Sequence, residues 1–198
     1  GLSFIKNSWH KLRDREILPA LIGASIALGI LFPTLQFLGL KYTSAGNVGV
    51  ILTMEVLFSF LFFNVWKKEY IDLKHILGAA LILLSAVIIL LPNFTEFHKG
   101  DFLILLAVMI PPLGNLFQKK AREKIGSEGI LLFRSLVAVP VLFFLATLFG
   151  SLSAPSTMNV WLILLANGVL YFGLSKIFWV EGIHRISITK SSALNSVA

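Results

Sequence analysis

Six long apolar runs, separated by short polar breaks, dominate this chain: Ile17–Leu40, Ala45–Trp66, His75–Leu91, Phe102–Phe117, Ile130–Phe149 and Val160–Val180. A helix crossing the ~30 Å hydrocarbon core of a bilayer takes about 20 residues, and each run approaches that length alone or with its flanks. The runs are continuous rather than alternating with a period of two, so strands are a poor fit and helices are expected. A seventh run opens near Ile188 and is cut off at Ala198. With 57% hydrophobic and 14% charged residues, the 198-residue chain lacks the polar surface that coats a soluble domain. The absence of cysteine excludes disulfide scaffolds and zinc-thiolate sites. The expected fold class is all-α, a polytopic transmembrane helical bundle with about six full spans and the start of a seventh.

The formal charge of +7 raises the question of nucleic acid, and its distribution answers it. Basic residues crowd alternate breaks. Lys6, Lys11, Arg13 and Arg15 precede the first run; Lys67, Lys68 and Lys74 follow the second; Lys119, Lys120, Arg122 and Lys124 follow the fourth; Arg185 and Lys190 follow the sixth. The intervening breaks hold only Lys41 and Lys99, so thirteen basic residues fall on one side and two on the other. The positive-inside rule makes the first side cytoplasmic. Arg134 and Lys176 lie within about five residues of cytoplasmic ends of their runs, where long basic side chains snorkel to the surface. Trp66, Tyr70, Trp179, Tyr42 and Trp161 sit where interfacial aromatics are expected. The charge reports topology, and no nucleic-acid partner is expected.

The chain opens on Gly1 rather than Met, residues 1–16 form a basic loop without a signal-peptide core, and Ser191–Ala198 supplies only the first turns of a helix. An interior fragment of a longer protein is therefore expected. Asn93-Phe94-Thr95 matches a glycosylation sequon but hugs the membrane and carries little weight.

Gly39-Leu40-Lys41-Tyr42-Thr43-Ser44-Ala45 is echoed 143 residues later by Gly182-Ile183-His184-Arg185-Ile186-Ser187-Ile188. Each stretch closes one run and opens the next, yet charge places the first outside and the second inside. Similar units in opposite orientations indicate an inverted-topology repeat, common among secondary transporters. The turn Leu40-Lys41-Tyr42-Thr43-Ser44-Ala45-Gly46-Asn47, followed by Leu52-Thr53-Met54-Glu55-Val56, Lys68-Glu69 and Gly78-Ala79, resembles the EamA-type repeat of the drug/metabolite transporter superfamily. The family pattern has a Pro where Val56 stands and a Gly where Lys68 stands.

The resemblance implies a full chain of ten helices in two five-helix units of inverted topology. Residues 1–92 would be the C-terminal part of the first repeat (its helices 3–5), 93–100 an external linker, and 101–198 helices 6–8 with the start of 9. It also implies a secondary transporter that moves a small metabolite or drug-like solute by alternating access through a central cavity. Integral placement in a prokaryotic cytoplasmic (inner) membrane, contact with lipid, a coupling proton or counter-substrate, and a homodimer belong to the same expectation. No cofactor and no metal are expected.

Glu55 is the sharpest candidate site residue. It is the eleventh residue of a 22-residue run, where a carboxylate costs about 2.5–3.5 kcal/mol on insertion scales, so it should face the interior. A coupling proton, a cationic solute, a basic partner or a simple hydrogen bond to a neighbouring helix would each serve. Ile51 and Phe58 share its helical stripe and are candidate cavity walls, with plain packing as the competing role. Lys176 is a second candidate, set against snorkelling. Asn167, Tyr171 and Ser175 recur every four residues on one face, and Ser192 and Asn195 make the last run polar; these five are cavity candidates or helix-packing groups. Glu69 is a cytoplasmic loop residue of the family pattern. Pro33, Pro111, Pro112 and Pro140 are hinge candidates or static kinks.

Catalysis is not expected. The four histidines fall in breaks or helix ends, and no HExxH, GxSxG or GxxxxGK[ST] motif occurs. A non-transporting scaffold is the alternative, with an intramembrane enzyme behind it.

Overall fold

The structure, a computed structural model, describes residues 16–66, 73–90, 98–150 and 154–195. The basic residues of 1–15 and Lys67, Lys68, Glu69, Tyr70 and the sequon at Asn93 lie outside the described residues. Every regular element among the described residues is helical, as the continuous apolar runs require.

Among the described residues, five helices are long and apolar enough to cross a membrane: α1 (Leu18–Leu40), α2 (Ala45–Phe63), α4 (Lys99–Arg122), α5 (Ser127–Leu148) and α6 (Met158–Arg185). Between α2 and α4 stands α3 (Leu73–Leu90), of 18 residues, and α7 (Ile188–Asn195) follows α6. The helices outrun the apolar runs. The fourth run extends to 24 helical residues because Asp101 caps its start and basic residues fill its last turn, where they complement the helix dipole.

The prolines behave differently from one another. Pro33 sits in the first turn after a π-helical segment, Ser25–Leu31, whose wider turns accommodate the missing N–H without ending the span. Pro111-Pro112 does divide α4. Met109 and Ile110 donate to carbonyls only three residues back, and a new segment starts at Pro111. Pro140 lies inside α5 on its exposed side, and the helix continues through it.

Antiparallel packing of α1 on α4 forms the spine. Leu18–Ala24 lies on Pro111–Arg122, and Phe32–Leu40 lies on Lys99–Val108. Small residues permit this approach: a Cβ on Gly100 would run into the Gly39 carbonyl oxygen and stand 2.7 Å from the Tyr42 carbonyl carbon. Neither backbone can retreat without parting the helices. Gly100→Val is therefore expected to destabilise the protein by about 1–3 kcal/mol, the usual range for overpacking, as a lowered midpoint of thermal unfolding in detergent. An unchanged midpoint would show that the two helices separate freely.

Against this spine, α2 packs on α4, α3 on α2, α5 on the π-helical part of α1, and α6 on α4 and α5; α7 fills the space beside α2, α4 and α6. Three apolar clusters hold these contacts, around Leu21, Ile130 and Val180, around Val48, Ile104 and Val108, and around Phe63, Ile183 and Ile188. The outward faces are apolar too, with Leu136, Phe143 and Phe144 on α5 and Leu162, Leu165 and Leu170 on α6 all exposed. Such a surface is stable only against hydrocarbon.

The two ends of the bundle are polar in different ways. At one end Arg122 pairs with Glu181 at 2.7 Å, Ser127 donates to the same carboxylate at 2.6 Å, and Lys119 reaches the Ile186 carbonyl at 3.1 Å. Lys124 pairs with Glu16 there as well. These residues all belong to the side that the charge pattern makes cytoplasmic. In a cysteine-free background, a cysteine at position 155 is expected to react with an impermeant reagent in sealed cells and one at position 122 is not. The reverse pattern would invert the topology.

Candidate functional site

Five helices bring polar side chains together at membrane depth. Glu55 lies ten residues into α2, about 15 Å along its axis. The helix is interrupted at Met54, one residue before it, and a fresh segment starts at Glu55. Ser192 of α7 stands 3.5 Å from the Glu55 carboxylate, a long hydrogen bond, and 3.0 Å from the hydroxyl of Ser59, one turn further along α2. Ser59 and Ser192 are both buried. Glu55 thus turns toward α7 and away from lipid.

Lys176 of α6 lies within electrostatic reach of Glu55 on one side and of Arg134 of α5 on the other. Arg134 donates to Gln118 at 3.3 Å, Gln118 to Asn115 at 3.4 Å, and the Trp179 indole to Asn115 at 3.2 Å. Gln118 and Asn115 of α4 are buried. Gly29 of α1 makes room for the arginine, because a Cβ there would stand 3.1 Å from Arg134 Cγ. The result is two hydrogen-bonded groups, Glu55 with Ser192 and Ser59, and Arg134 with Gln118, Asn115 and Trp179, with Lys176 in electrostatic reach of both.

Arg134 and Lys176, expected to snorkel from the ends of their runs, are half-buried and stand well inside their helices. The helices continue past the apolar runs to Ser127 and Arg185, which sets the two cations about 10 and 14 Å inside. Trp179 likewise is bound to Asn115 and is not an interfacial anchor. Sequence reasoning missed Asn115 and Gln118 altogether. Their signal is present as two amides, three residues apart, just after a proline pair in an apolar run.

The remaining candidates are dispersed. Ile51 and Phe58 pack with Val48, Ile104 and Val108. Asn167 and Ser175 are exposed, and Asn167 returns its amide to the Ile163 carbonyl at 3.1 Å. Asn167–Leu174 is π-helical, and its wider turns of more than four residues keep positions four apart near one another around the axis. The side chains of Tyr171 and Asn195 lie outside the described part, as does Glu69.

A second buried group closes the opposite end of the bundle. Asp101 of α4 is fully buried and accepts hydrogen bonds from the Thr43 hydroxyl, the Asn47 amide at 2.9 Å and the His98 backbone N–H at 2.7 Å. Ser44 caps α2 beside it, accepting from the Asn47 backbone at 3.1 Å. The Tyr42-Thr43-Ser44-Ala45 turn is therefore an architectural clamp between α1, α2 and α4.

Membrane-length helices with apolar exteriors around a polar interior define a polytopic integral membrane protein. The sequence pattern of the EamA-like transporter family matches residues 1–91 and 98–198, and the chain belongs to that family. An "Uncharacterized transporter" of Methanothermobacter thermautotrophicus is 32% identical over 123 residues, which cover 58% of this chain and 34% of that relative. The matched region thus spans about a third of the relative's length. No solved structure matches the chain.

Proposed function

We propose that the protein is a secondary transporter that carries a small metabolite or drug-like solute by alternating access, through a cavity between two inverted five-helix repeats. The observation that carries this reading is the polar cluster of Glu55, Ser59, Ser192, Lys176 and Arg134, contributed by four helices at membrane depth. Ionisable groups are expensive there and mark solute or ion pathways in membrane proteins. The two stretches matched by the family pattern, and the motif repeated 143 residues apart on opposite sides, support the two-unit architecture. The break in α4 at Pro111-Pro112 supplies a bend beside the amides of the cluster. The archaeal relative supports placement in a prokaryotic cytoplasmic membrane.

Access from alternate sides is tested at Ser192. With Ser192→Cys as the sole cysteine of the full-length protein, any native cysteine being replaced by serine, an impermeant thiol reagent is expected to label the position from either face of sealed vesicles. Labelling confined to one face under all solute conditions would sink alternating access. No labelling from either face would sink the cavity itself and favour a non-transporting scaffold.

A further inference from the structure

Arg134 holds an incomplete set of partners. A guanidinium presents five N–H donors in a planar fork, and in this structure one of them reaches a partner, Gln118, at 3.3 Å. The other four have no acceptor among the described residues. The carboxylates are spoken for elsewhere: Glu16 by Lys124, Glu181 by Arg122 and Ser127, and Asp101 by Thr43, Asn47 and His98. Glu123 and Glu128 lie in the polar connection between α4 and α5 or in the first turn of α5. Among the described carboxylates only Glu55 is at the depth of the cluster, in electrostatic reach of Lys176, which in turn faces Arg134.

Among the described residues, two cations share this space with one carboxylate, in a medium that penalises uncompensated charge. Lys176 sits beside Arg134 with like sign, an arrangement that an intervening anion would stabilise. A fork with vacant parallel donors fits the two oxygens of a carboxylate or phosphate better than any neutral or cationic group. The amides of Gln118 and Asn115 line the guanidinium on the side where Gln118 accepts from it.

We propose that the transported solute is an organic anion whose carboxylate or phosphate group docks on the guanidinium of Arg134, with Lys176 as the second cation. This rests on the transport reading above and assigns its substrate class. Glu55 then stands opposite the anion across Lys176. It disfavours a second negative charge nearby, which selects solutes bearing one oxyanion at this end.

The test uses the full-length protein in zwitterionic phosphatidylcholine nanodiscs for binding and in liposomes of the same lipid for flux. The probes are glutarate, glycerol 3-phosphate, glycerol and cadaverine. Binding is read by calorimetry and by the fluorescence of Trp179, whose indole is tied to the cluster through Asn115. At least one anion is expected to bind ten or more times more tightly than glycerol and cadaverine. Which anion prevails tells carboxylate from phosphate. Arg134→Gln is expected to abolish that preference, and Arg134→Lys to restore part of it, since charge returns without the fork. Anions that bind the unmodified protein no better than glycerol or cadaverine overturn the proposal, whether or not the variants fold. Flux of glycerol or cadaverine with both anions inert overturns the anion site and leaves transport standing. Anion binding without flux of any probe upholds the site and removes the transport reading.

Discussion

Replacing Asp101 with alanine is expected to destabilise the protein by about 3–5 kcal/mol, the usual result of removing one member of a buried, charged hydrogen-bonded group. The carboxylate is fully buried and satisfies three donors: the Thr43 hydroxyl, the Asn47 amide and the His98 backbone N–H. Each orphaned donor costs about 1–3 kcal/mol when water cannot reach it. The loss also uncouples the turn between α1 and α2 from the start of α4, next to the tight approach of Gly39 and Gly100. Thermal or denaturant unfolding of the full-length protein in detergent measures this. Asp101→Asn keeps the shape and one carbonyl acceptor, so it should lose less. A variant Asp101→Ala that melts with the unmodified protein would reduce the clamp to a surface feature.

The second large effect is on activity. Glu55→Gln is expected to lower the rate of transport at least tenfold, about 1.4 kcal/mol in barrier terms, while leaving insertion and thermal stability nearly unchanged. The amide occupies the same volume and still meets Ser192, so packing of α2 on α7 survives. What disappears is the negative charge facing Lys176, and with it the balance that lets the two cations hold and release a solute. The check is initial flux in liposomes at equal protein content, with unfolding midpoints measured in parallel. Unaltered flux would make Glu55 a packing residue. Lost flux with an equally lowered midpoint would make it a structural one.

Much of the scaffold was legible because its cause is local. Continuous apolar runs of membrane length are helices whatever surrounds them, since hydrocarbon leaves the backbone no other partner. The ends were less legible. Asp101, Gln118 and Glu181 are polar enough to close an apolar run on paper, yet the helices carry on through them because each finds a hydrogen-bond partner on another helix or turn. The same shift explains why Arg134 and Lys176 look like surface cations in the sequence and lie inside in the fold.

Glu55 could be singled out from position alone, because a carboxylate midway along an apolar run is costly wherever the helix points. Its partners could not. Ser192 is 137 residues away, and Asn115 meets Trp179 across a separation of 64. The π-helical segment Asn167–Leu174 is another feature that no residue pattern announces.

By itself, then, the sequence determined the helical class, the alternation of basic and neutral ends and the one carboxylate at mid-run, because each follows from transfer energies summed over neighbouring residues. Only the tertiary structure decided which polar side chains share the interior, that Arg134 keeps a vacant fork beside Lys176, and that the Tyr42–Ala45 turn is clamped by Asp101. Those outcomes depend on helix rotation and depth, set by packing contacts such as Gly29 on Arg134 and Gly39 on Gly100, between residues far apart in the chain.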